Sequence, residues 1–191
     1  MYMINNFHVL VVHFPIALLT LYSLLEIVSL SKKFKGYSLD ITKAILVITG
    51  TLGAIVSRMT GESVDHAIRN QSIDKTGLLS PELWRPVLEL HEGTSLWATV
   101  FFLIIAIGYI LYFFETSAKI KNTPMYVNLK KTMHTQIKKF IWMFTRPYMR
   151  VILAVLGLLF ITLTGAFGGI LVHGCESDVL TQVLCKTLLG Q

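Results

Sequence analysis

Three runs of this chain, Phe7–Leu30, Leu96–Phe114 and Val151–Val172, are each about as long and as apolar as a helix that crosses a bilayer, which takes roughly 20 residues. A fourth run, Ala44–Ser57, spans only 14 residues, a length that suits a buried core helix as well. Lys43 and Arg58 flank it and can snorkel, and Tyr37–Ile41 extends it at its start, so it is read as a span too. Charged residues are 15% of the chain, against about 25% in soluble domains. That balance excludes disorder, a coiled coil and an ordinary cytosolic enzyme. The expected fold is all-α: one integral-membrane four-helix bundle over residues 1–191, with spans near 7–30, 41–59, 91–115 and 150–172.

The placement of charge predicts the orientation. Ser31–Lys43 carries Lys32, Lys33, Lys35 and Lys43 against Asp40, and Thr116–Arg150 carries eight basic residues and no acid. Arg58–Leu90, between them, carries four basic and five acidic residues. Cytoplasmic loops are enriched in Lys and Arg, so the first and third connections are expected inside and both termini outside, in a bacterial-type inner membrane. The net charge of +6 then reports topology and attraction to anionic lipid rather than nucleic acid. The start lacks a positive n-region, and Phe7–Leu30 is long for a cleaved signal, so it is expected to stay as a helix.

Within the third connection, residues 120–148, Leu129, Met133, Ile137, Phe140 and Phe144 follow helical spacing with lysines between them. This reads as a basic amphipathic segment on the inner leaflet, with Trp142 and Pro147 marking the approach to the fourth span. Small residues also recur at helical spacing. Gly50, Ala54, Ser57 and Gly61 form a stripe on the second span, and Gly165 with Gly169 makes a GxxxG pair on the fourth. Small residues allow close approach of helices in lipid, so these two helices are expected to pack on one another.

Five of the six histidines map to the outer half once that topology is drawn: His8 and His13, His66, His91 and His173, contributed by four helices. His134 alone falls inside. Ionisable residues in a membrane are costly and usually functional, and neutral imidazole ligates transition metals and haem iron. A haem b held by two of His13, His91 and His173 is therefore one expectation, with His13 and His91 preferred because the first and third spans sit diagonally in a sequential four-helix ring. His8 would bond headgroups or a propionate, and Arg58 and Arg85 would hold propionates. Glu62 and His66, four residues apart, offer a weaker metal pair. The competing reading of each histidine is an interfacial residue hydrogen-bonded to backbone or headgroup. Cys175 and Cys185 both follow the fourth span and can bridge in an oxidising compartment. No Cys-x-x-Cys-His motif is present, so any haem would be non-covalent.

Four segments, HVLVVHFPIALL (His8–Leu19), TGESVDHAI (Thr60–Ile68), LELHEGTSLW (Leu88–Trp97) and GAFGGILVHG (Gly165–Gly174), resemble the bacterial transmembrane family known as domain of unknown function 2231. The resemblance implies a four-helix membrane domain. Members often accompany cytochrome-like proteins, which favours a redox role. Three readings stay open: a b-type haem electron carrier exchanging electrons with quinol or a periplasmic cytochrome, a non-catalytic accessory subunit of a larger respiratory-type membrane complex, and a metal-binding membrane protein. No nucleophile–base set, P-loop or zincin motif is present, so an enzymatic role is left undecided.

Overall fold

The computed structural model describes residues 2–31, 39–69, 81–116, 135–144, 146–176 and 178–189, with side chains over 11–31, 39–61, 83–114, 116, 139–144, 146–176 and 178–188. The described residues are helical, with no strand. They form α1 (Tyr2–Val28), α2 (Asp40–Arg69), α3 (Pro81–Thr116), α4 (Thr135–Phe144), α5 (Pro147–His173) and α6 (Val179–Leu184), followed by a π-helical turn over Cys185–Leu189. Four of these helices are long and apolar enough to cross a membrane, over Val11–Val28, Asp40–Gly61, Leu83–Phe114 and Pro147–His173. The run that was short by sequence lies in a 30-residue helix, α2.

Contacts between the long helices close a cycle, α1 to α2 to α3 to α5 and back to α1. The end of α1 meets the starts of α2 and α5, while the end of α2 meets the early part of α3, so neighbours run antiparallel. Inside the cycle sit Tyr22, Val47, Phe102, Ile105 and Tyr109, all fully buried. The outward faces are apolar as well: Ile45, Leu52, Ile152 and Leu159 are each more than half exposed. A soluble chain would place polar residues there, so an apolar outside marks a surface made for lipid or partner helices.

The small residues do not work as their spacing suggested. Gly50 faces α1, where a Cβ would lie 2.7 Å from Leu19, and Gly53 faces Pro15 of the same helix. Gly165 is exposed, with nothing within 4 Å of where its Cβ would stand. The close glycine contact of α5 is instead Gly157, against the ring of Phe102 on α3. The expected α2–α5 contact through Gly165 is therefore corrected: α2 packs on α1, and α5 on α3. Spacing along one helix says which residues share a face, not which neighbour that face meets.

At the end where α5 finishes, Gly174 takes φ 80°, a left-handed geometry that favours glycine, and its N–H donates to Ile170 O. The chain then folds back. Asp178 caps α6 by accepting from the N–H groups of Leu180 and Thr181, while Thr181 Oγ1 accepts from the Asp178 N–H. Cys175 and Cys185 are bridged, with Cα atoms 5.9 Å apart, and Cys185 is buried with Val87, Phe167 and Ile170.

Candidate functional site

Two polar sites interrupt the apolar interior, one toward each end of the long helices. The first lies where α2 ends and α3 begins. Arg58 reaches from α2 to α3, donating from Nη1 to Ser95 Oγ at 2.6 Å and to Glu92 O at 3.2 Å. Beside it a cleft of about 70 Å³ opens among all four long helices, with Val12, Ile16 and Ile161 on its apolar walls and Ser57, Ser95 and Thr164 on its polar ones. Arg58 is the one charged residue in the lining. Among the described residues, its remaining guanidinium N–H groups have no partner.

One turn before Ser95, half-buried His91 turns onto α5. Its Nδ1 lies 2.9 Å from Thr164 O, and a carbonyl only accepts, so Nδ1 carries the proton and Nε2 is left with its lone pair. Gly168 makes room for the ring: a Cβ there would stand 3.3 Å from His91 Cε1. A histidine whose Nδ1–H is held by a carbonyl is oriented as metal-ligating histidines usually are.

The other expected site residues stand apart. His13 and His173 are exposed, and neither they nor His91 line the cleft. Arg85 is exposed and pairs with Glu89 of its own helix at 3.3 Å. The side chains of His8, Glu62 and His66 lie outside the described residues. No group of three or more His, Cys, Asp or Glu is placed to hold a metal among the described residues. The described structure thus gives His13 and His91 no common cleft. The cleft itself is small: one water needs about 10–15 Å³ of such volume, so it equals roughly five waters, the size of a single ring. Among the described histidines, His91 has Nδ1 held by a backbone carbonyl and Nε2 left with its lone pair.

The second polar site is one that the sequence reading missed. At the other end of the cycle, Glu26 of α1 is buried at 1% exposure. Lys43 of α2 reaches it at 3.1 Å and Arg150 of α5 at 3.3 Å, while Tyr109 of α3 donates to it at 3.2 Å. Arg150 also meets Asp40 at 3.5 Å, and Lys43 donates to Ser29 Oγ, which in turn donates to Glu26 O. Two carboxylates and two cations thus balance, with every long helix contributing. The signal was available in part: Glu26 is the one acid inside the first apolar run. Its partners lie 17, 83 and 124 positions away, and no local spacing connects them.

Comparison with protein-family models, with curated proteins and with solved structures finds no match to this chain.

Proposed function

We propose that the chain is a multi-pass inner-membrane redox subunit, with both termini on the periplasmic side, that takes the head group of a lipid-soluble quinone in the cleft beside Arg58. The observation that carries this is the cleft itself: space for about one ring, apolar walls for the start of a prenyl tail, and one guanidinium for a ring carbonyl. Arg has donors only, so it suits the acceptor oxygens of a quinone. Among the described histidines, His91 has its Nδ1–H held by Thr164 O with Nε2 left free to ligate, so it would hold a haem b, which would supply one-electron chemistry when bound.

Titration with a short-chain quinone, read as a saturable quench of tryptophan fluorescence, tests the cleft. Arg58→Gln is expected to weaken binding about tenfold or more, since a hydrogen bond from a charged donor contributes roughly 1.5–3 kcal/mol. Equal affinity in both proteins sinks the assignment. A dithionite-reduced spectrum tests the second part: a haem α-band that disappears in His91→Ala supports ligation there. Topology is checked separately by Asn128→Cys, whose thiol is expected to resist a membrane-impermeant label added from outside.

A second reading is favoured by the balanced Glu26 cluster, a device that joins four helices and needs no ligand. If neither quinone nor haem binds, the chain is an accessory subunit whose interior is structural.

A further inference from the structure

In the helix before the fourth span, Phe144 is packed against the long helices. Phe144 of α4 is 2% exposed and edge-on to Tyr109 at 5.3 Å between ring centroids, and its ring lies over Gly108, where any side chain would overlap it. Phe140 stacks behind it at 6.3 Å. Of the described side chains of α4, Phe140 and Phe144 are thus turned to the long helices, while those of residues 135–138, and most of the amphipathic segment expected over 120–148, lie outside the described residues.

What α4 and the turn after it show to the outside is different. Lys139 is exposed; Trp142, one turn on, is 63% exposed; and Arg146 stacks over the Trp142 ring with Cζ at 4.6 Å. Tyr148, just beyond, is 71% exposed. Arg150 is neutralised by Glu26 and Asp40, but among the described residues neither Lys139 nor Arg146 has a carboxylate partner. Residues 116–150 contain no acid to supply one.

We infer that Lys139, Trp142 and Arg146 form a binding surface for an anionic phospholipid. The chemistry is complementary: two cations for a headgroup phosphate, and amphipathic rings of the kind enriched at the level of the headgroups. Because Phe144 clamps α4 to the membrane helices, this surface is held at a fixed place beside them rather than on a loose tail. The inference rests on the membrane reading above, and its test separates the two.

Trp84→Phe with Trp97→Phe leaves Trp142 as the sole tryptophan. This protein is placed in phosphatidylcholine nanodiscs that contain a minor fraction of brominated phosphatidylglycerol or, in parallel, of brominated phosphatidylcholine. Enrichment near each basic residue is about fivefold. Quenching per mole of brominated lipid is therefore expected to be several-fold greater with the anionic lipid, and to fall toward the phosphatidylcholine value in Lys139→Gln/Arg146→Gln or at high salt. Equal quenching by both lipids overturns the inference, leaves membrane insertion intact, and points to an acidic protein as the partner. Quenching by neither places Trp142 away from lipid and overturns the inference, while the Asn128→Cys label reads the orientation separately. If the double Phe variant does not fold, native mass spectrometry of the wild-type protein released from mixed-lipid discs reads the same preference. There, retention without preference for phosphatidylglycerol overturns it.

Discussion

Glu26 illustrates what a single buried charge demands. Its carboxylate has lost water and is offset by Lys43, Arg150 and the Tyr109 hydroxyl. Breaking such a group by removing one member is far more costly than replacing all of it, because the remaining charge stays buried without a partner. Glu26→Ala is expected to lower stability by about 3–5 kcal/mol, read by chemical unfolding in detergent. Glu26→Gln combined with Lys43→Met, which restores charge balance, is expected to recover part of that loss. A double variant as unstable as the sum of the singles would falsify the cluster as a coupled unit. His91 shows a different limit. Its type and position pointed to a ligand, but only the fold puts its Nδ1 on Thr164, a residue 73 positions away, and His13 on an exposed face.

At the scale of elements, the long helices were legible because apolar runs of that length have few other folded forms, and the bridge between Cys175 and Cys185 was legible from two thiols close in sequence on one side. Helix pairing was not. Gly165 shares a face with Gly169 by spacing, yet it meets open space, while the contact that matters passes through Gly157 and Phe102. Gly165→Leu is accordingly expected to leave stability nearly unchanged. Gly157→Leu should destabilise by several kcal/mol, of the order seen for overpacked cores or more. Thermal melts of the two variants side by side decide this, and equal losses would restore the original packing scheme. The C-terminal hairpin makes its own prediction. Closing a loop of this size stabilises by about 3 kcal/mol, so Cys175→Ser/Cys185→Ser should lower stability by up to that amount. Because Cys185 is buried among Val87, Phe167 and Ile170, the loosening should appear first as hydrogen exchange at the end of α5.

For the whole molecule, the Glu26 cluster carries a consequence for the order in which the chain is made. Glu26 and Lys43 are 17 residues apart, so at 5–20 residues per second they leave the ribosome within about 1–3 s of each other. Arg150 follows Lys43 by a further 107 residues, roughly 5–20 s later at the same speed. An isolated acid in a span opposes insertion, less so near its end, where Glu26 stands two residues from the close of α1, and α1 and α2 delivered as a hairpin bring the acid together with its cation. The first pair of helices thus brings Glu26 together with its first cation, and Arg150 arrives later to complete the balance with Glu26 and Asp40. On the proposed membrane reading, loss of Lys43 is therefore expected to leave the newborn hairpin with an unanswered charge during the seconds before the last long helix exists.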